Sequence, residues 1–311
     1  MPVIRELELK DRSLVTSHLR RRPPVVSELT FTNLFAWRNH RPILFAEVEG
    51  SIVFIVESRG GDRTRRVVFG SPVGEVSPLE VAGSLGIEIE GFVRIPKDTA
   101  TILRDAGVAV EPDRDNWDYV HRVKDLAELA GRRYHKKRNL VNQCLASYRC
   151  EYETITPQLL SECLDMQERW CQARQCGLDP GLCTEYAAIR ETFTHYGDLH
   201  LIGGAIRVDG RIEAYAMGEE LSPGEAVCHF EKAMPGMKGL GQLITQWFAL
   251  YSLSEFEHVN REQDLGIPGL RRAKESYFPH HMVEKFRARL RPDITLPPLV
   301  DPRECEKHTQ A

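Results

Sequence analysis

The chain has 311 residues, with 41 Lys and Arg against 45 Asp and Glu, a formal net charge of −4 at pH 7. Apolar residues make up 42% and charged residues 28%, a balance that builds packed cores and excludes a disordered chain. Near-neutral charge excludes a wholly basic nucleic-acid coat but leaves room for a local patch that grips phosphates.

Along the chain, the N-terminal MPVIRELELKDR alternates charge with hydrophobicity and lacks an apolar signal core, so a cytoplasmic protein is expected. Peripheral contact with the inner membrane surface is the variant of that expectation. Stable membrane insertion is not expected, because the most apolar stretch, 43–56, is broken by Glu47, Glu49 and Gly50. A spanning helix needs a run of about 20 apolar residues.

Asp11 begins a short predicted helix stopped by Pro23 and Pro24, since proline cannot continue a helix. A second helix covers 30–38. ILFAEV and SIVFIV around Glu49-Gly50 read as a hairpin. VVFG (67–70) is a strand, Ser77-Pro78 a helix start, FVRIP a strand, KDTATILRDAG a helix and DYVHRV (118–123) a strand. Residues 125–147 read as one long helix whose middle, 132–138, carries Arg132, Arg133, Lys136, Lys137 and Arg138. Such a run is either a solvated helix face or a phosphate-contacting surface.

The second half reads as a strand (150–155), two helices, three strands (199–208, 211–221 and 226–233), a glycine loop and a helix. A strand (255–260), a short helix and a closing strand (282–290) follow. Asp209-Gly210 is the strongest short hairpin signal in the chain. The order is that of the GCN5-related N-acetyltransferase fold, which fixes shape more than chemistry. Eight cysteines include no CxxC pair and are expected to be reduced thiols without a metal role.

Three segments carry candidate chemistry. In the loop Gly236, Met237, Lys238, Gly239, Leu240, Gly241, glycines let a ligand approach the backbone and helix N-terminal amides face an anion. HFEKA (229–233) puts His229 and Glu231 on one face of a strand and Lys232 on the other. The pair is either mutually satisfied or a general base with its helper. In NREQDLGIPGLRRAKESYFP (260–279), Asn260, Arg261, Glu262 and Asp264 follow a strand end, where α/β proteins place ligand groups. The helix after it puts Leu270, Lys274 and Tyr277 in phase.

HFEKA, this last block and DLAELAGRRYHKKRN (125–139) resemble signatures of the phosphatidylglycerol lysyltransferase C-terminal domain family, over roughly residues 25–290. The resemblance implies an α+β fold of two tandem GCN5-related N-acetyltransferase-like domains, each a mixed, mostly antiparallel sheet flanked by helices. The implied divisions are an N-terminal domain (1–124), a basic connecting helix (125–148), a catalytic domain (149–291) and a Pro-rich tail (292–311). The family is related to the Fem-type aminoacyltransferases. It implies transfer from aminoacyl-tRNA, without a cofactor, to the amine or hydroxyl of a lipid or small-molecule acceptor. Glu231 is then the base, with His229 beside it. Lys274 stabilises the oxyanion together with amides at Gly239–Gly241, and the cations at 132–138 hold tRNA. Lys232, Gly236, Asn260, Arg261, Glu262, Asp264 and Tyr277 complete the implied substrate site, with Glu262 and Asp264 on the donor's α-amino group. The sequence departs from the lysyltransferases in having Ala273 before the lysine, Tyr277 as the following aromatic, and Glu231-Lys232 where they have an Asp-x-x-Arg pair. An acyl-CoA-dependent N-acyltransferase is the alternative, although Gly236 replaces the Gln or Arg that opens an acyl-CoA loop. A non-catalytic binding module is the third reading.

Overall fold

A computed structural model describes residues 2–60 and 63–291 and, in the tail, residues 295, 296 and 299. The expected tail, 292–311, thus lies almost wholly outside the described residues. The chain divides into two units. The first contains residues 1–118, 263–268 and 282–311; the second contains 119–262 and 269–281.

The first unit is built on a seven-stranded sheet. Its order is Arg5–Glu6, Ile43–Val48, Ser51–Gly60, Arg63–Phe69, Gly91–Pro96, Lys285–Arg289 and Ala109–Pro112. Neighbours are antiparallel except Arg63–Phe69 with Gly91–Pro96. That pair is joined through the helix Pro78–Ser84. Ser77 accepts from the Glu80 N–H while the Glu80 carboxylate accepts from the Ser77 N–H, a reciprocal cap that fixes where the helix starts. The core lies under this helix and Lys97–Asp105, from Val53, Ile55 and Val68 to Leu103 and Phe286. Lys285, on the opposite face of its strand from Phe286, is fully buried against Asp118 (2.6 Å) and Glu28, a paired arrangement without which a buried ammonium would be very costly.

The second unit repeats the scheme. Its strands run in the order Asp118–Arg122 (all but Asp118 within it), His258–Asn260, Glu225–Ala233, Arg211–Ser222, Ile202–Val208 and Cys150–Thr154. Glu225–Ala233 and His258–Asn260 are parallel, with the helix Leu240–Trp247 and a π-helical turn, Phe248–Ser252, between them. The expected architecture of two mixed, mostly antiparallel sheets is present. The boundaries follow contacts rather than chain order. The closing strand Lys285–Arg289 pairs with Gly91–Pro96 in the first unit, not with the catalytic domain expected at 149–291. Most of Asp118–Arg122 lies in the second unit, where it pairs with His258–Asn260.

The long helix expected over 125–147 is interrupted. Val123–Glu128 ends on Leu129 in the left-handed region (φ 46°), and a 3-10 turn at Arg132–Tyr134 precedes the helix His135–Ser147. Arg138 caps the break by donating to the Leu129 carbonyl and, at 2.7 Å, to that of Gly131. Among the described residues no helix is long and apolar enough to cross a membrane. Cys144, Cys150, Cys163, Cys171, Cys176 and Cys228 are free thiols.

Candidate active site

The site is built around Glu231 on the central strand of the second unit. Alternation aims Glu231 at the helix Leu240–Trp247 and Lys232 at the opposite face. Glu231 Oε1 accepts from Arg261 Nη2 (2.9 Å) and from Thr245 Oγ1 (2.8 Å). Among the described residues its other oxygen has no hydrogen-bond partner, and the side chain keeps 22% of its exposure. Arg261 follows the strand His258–Asn260, so the parallel pairing of that strand with Glu225–Ala233 brings the two charges together. Among the described residues Arg261 Nη1 is buried without a hydrogen bond, a donor that a ligand oxygen would satisfy. Cys228, Glu231, Thr245 and Arg261 border a small cavity with room for about one water.

Tyr277 forms one wall. Arg261 lies over its ring at 4.9 Å from the centroid and Lys137 Nζ at 4.0 Å. Burial pushes the Tyr277 phenol up to about 12. Burial, helped by the Arg261 charge, lowers the Lys137 amine to about 8. Beside them His121 is 1% exposed, and burial, then Arg261, lowers its pKa to about 3. It is therefore neutral, and its Nε2–H donates to the Lys274 carbonyl (3.4 Å). Lys274 Nζ donates to the Arg261 carbonyl at 2.5 Å, so the lysine anchors the backbone that presents the guanidinium.

His229 does not pair with Glu231. Its two ring nitrogens meet Glu219 (2.9 Å) and Glu262 (2.8 Å). The register shifts between Met217, which faces Phe230, and Gly218, which faces Cys228, so the bulge falls at His229. Such a bulge re-aims a side chain. Burial works against the imidazolium, but the two carboxylates outweigh it and raise its pKa to about 9. A histidine already protonated at neutral pH is a clamp, not a helper base. It fixes Glu262, whose own backbone is left-handed (φ 57°).

Other expected site residues are structural. Lys232 turns to the far face, pairs with Glu185 (2.6 Å) and covers Trp170. Asn260 is fully buried, and its side-chain oxygen accepts from the Glu262 N–H. Asp264 lies in the first unit, fully buried, accepting from Arg114 (3.1 Å) and the Gly266 N–H (2.8 Å). At Gly239 (φ 88°), a Cβ would stand 2.0 Å from the Leu140 carbonyl oxygen. The close approach that needs this glycine is to the helix His135–Ser147, not to a ligand. Added Cβ atoms at Gly236 and Gly241 would meet nothing within 4 Å.

The basic run separates by direction. Arg132, Arg133 and Lys136 are exposed, with Arg133 also paired to Asp125 (2.9 Å). Arg138 is spent on the helix break. Lys137 turns inward to Tyr277.

The model of the family described as "Phosphatidylglycerol lysyltransferase, C-terminal" matches residues 20–289. The chain belongs to that family. No curated protein matches the sequence. Among solved structures, a conserved protein of unknown function from Bacteroides thetaiotaomicron is 29% identical, with 94% of this chain and 100% of that chain covered at a TM-score of 0.84. L-PGS from Bacillus licheniformis is 16% identical, with 92% and 94% covered and a TM-score of 0.64. FemX is 9% identical, with 93% and 97% covered and a TM-score of 0.59. The last two are similar in fold.

Within this lysyltransferase-family member, three residues of the site were not candidates in the sequence. Thr245 carries no motif of its own, and His121 sits in an ordinary strand. Glu219 is ten residues from its histidine, on the neighbouring strand. Among the described residues no group of three or more His, Cys, Asp or Glu is arranged to hold a metal ion.

Proposed function

We propose that the chain is an aminoacyltransferase that moves an aminoacyl group from aminoacyl-tRNA to the amine or hydroxyl of a small-molecule or lipid acceptor. Family and fold support an acyl- or aminoacyltransferase in general. The narrower reading rests on one observation. Within one unit, a segment exposes Arg132, Arg133 and Lys136 while its Lys137 reaches the Tyr277 ring beside Arg261 and Glu231. Exposed cations suit a phosphate backbone, and the inner group suits an acyl ester.

An aminoacyl ester is already activated, so the residues need only orient it, take a proton and meet negative charge. Glu231, held through Oε1, offers its second oxygen to the proton of the attacking amine or hydroxyl. Arg261 Nη1 offers a buried donor to the acyl or ribose oxygens. Lys274 holds the Arg261 backbone in place.

The test is binding and turnover of the full chain with pre-charged tRNA pools and a panel of acceptors. tRNA affinity is expected to fall steeply with salt, with log Kd changing by about 0.7–0.9 per contacted phosphate for each decade of salt. The open Gly236 and Gly241 favour the acyl-CoA alternative. Tight coenzyme A binding with no tRNA binding at low salt would establish it, and turnover with neither donor would favour a binding module.

A further inference from the structure

Lys137 differs in phase from Lys136 and Arg138, the basic residues beside it in the helix His135–Ser147. Positions 137, 141 and 144 share one face of the helix His135–Ser147. Val141 and Cys144 are in the core of the second unit, 5% and 0% exposed. Lys137 therefore enters the molecule with the apolar stripe of its helix. Its ammonium reaches the Tyr277 ring without a hydrogen bond or ion pair of its own among the described residues. The nearby Arg261 is a second cation on the same ring, and its carboxylate partner is Glu231. Two cations beside one carboxylate leave local positive charge in a poorly solvated place. A methionine would fill the space without that cost. The arrangement fits an oxygen that becomes negative.

We propose that Lys137 is a catalytic residue of the transfer, its ammonium donating to the acyl carbonyl oxygen as that oxygen gains charge. This deepens the transferase reading and rests on it. The acceptor's lone pair forms the new bond to the carbonyl carbon, and the π pair moves to the oxygen held by Lys137. Glu231 takes the acceptor's proton. On collapse the carbonyl re-forms, the bond to the ribose oxygen breaks, and that oxygen leaves with the proton from Glu231. Atoms and charge balance without another reactant.

The experiment compares wild type, Lys137→Met, Lys137→Arg and Lys136→Ala as full chains, with kcat, KM and salt-dependent tRNA binding measured separately. Lys137→Met should lower kcat by about 10²–10³, the effect of losing one oxyanion donor. Its tRNA Kd should stay within about twofold of wild type, separating chemistry from binding. Lys137→Arg should recover only part of kcat, since a planar fork does not replace a compact ammonium. Lys136→Ala should weaken tRNA binding and flatten the salt slope by about 1. If Lys137→Met gives that phosphate-contact pattern with kcat kept, or changes nothing, the proposal is overturned. If the wild type uses acyl-CoA instead, the tRNA reading falls, and the same kcat comparison with that donor decides Lys137. Competitive labelling of wild type with trace acetic anhydride across pH supplies a readout independent of turnover. The Lys137 midpoint is expected at about 8, below the ordinary lysine value of 10.5; a midpoint at the ordinary value overturns the assignment.

Discussion

Lys137 and Arg261 stand on one aromatic ring, with Nζ 4.0 Å and Cζ 4.9 Å from the centroid of Tyr277. A ring quadrupole attracts each cation, so Tyr277 offsets part of their mutual repulsion and sets how far each side chain extends. The ring is itself placed by its backbone, whose carbonyl accepts from the Tyr134 hydroxyl at 2.9 Å. Tyr277→Phe keeps the ring face and should leave KM and kcat near wild type. Tyr277→Leu removes it and should lower kcat/KM about tenfold or more, given about 1–2 kcal/mol per desolvated cation–π contact. Equal activity of the Phe and Leu variants would show that the ring does not organise the site.

The glycine loop allows packing and ligand roles to be separated. A side chain at Gly239 would collide with the Leu140 carbonyl and occupy a left-handed backbone, whereas one at Gly241 would meet open space. Gly239→Ala should therefore lower Tm by several degrees, consistent with strain and steric overlap of more than about 1 kcal/mol. Gly241→Ala should fold like wild type. A raised KM for the donor in Gly241→Ala would place a ligand against this turn; unchanged kinetics would leave the loop a packing element.

His229 carries a pH signature. Its folded pKa, about 9, lies above the ordinary 6.5. The protonated form is thus favoured by folding. Its contribution to stability is complete below about pH 6.5 and is lost as pH rises through about 9. The wild type should lose Tm across that window. His229→Gln should be less stable at pH 6, because Glu219 and Glu262 are left without their buried cation, and its Tm should fall less between pH 6.5 and 9. Parallel Tm curves for the two proteins would contradict the clamp.

Local signals made most elements legible. Glu49-Gly50 and Asp209-Gly210 have positive φ at both positions, as type I′ hairpin turns require, and Ser77 caps its helix as its sequence indicates. Pairings were less legible. Alternation puts His229 and Glu231 on one face, but the register shift and a third strand give His229 to Glu219 and Glu262. The left-handed Leu129, unusual for a branched apolar residue, hides the break in the basic segment. Lys137 was visible as part of a charged run; only its phase with Val141 and Cys144 separates it from Lys136. Asp264 reads as a ligand group after a strand end, yet its partner Arg114 lies 150 residues away.

Lys274 supplies the last prediction. Its ammonium donates to the Arg261 carbonyl at 2.5 Å, while its own carbonyl accepts from the neutral His121. The lysine therefore acts through Arg261: it holds the turn from which the guanidinium reaches Glu231. Lys274→Met should leave the helix Pro268–Glu275 and the fold largely intact, because none of that helix's residues is fully buried. It should lower kcat with little change in acceptor KM, since a misplaced Arg261 weakens the transition state more than binding. An oxyanion donor lost outright would cost about 10²–10³; an anchor should cost less, about tenfold, and Lys274→Arg should recover most of that because it keeps donors near the carbonyl. The double variant Lys274→Met with Arg261→Met should be no worse than Arg261→Met alone, as a residue that acts only through Arg261 requires. A loss that multiplies in the double variant would instead give Lys274 a direct role with the substrate.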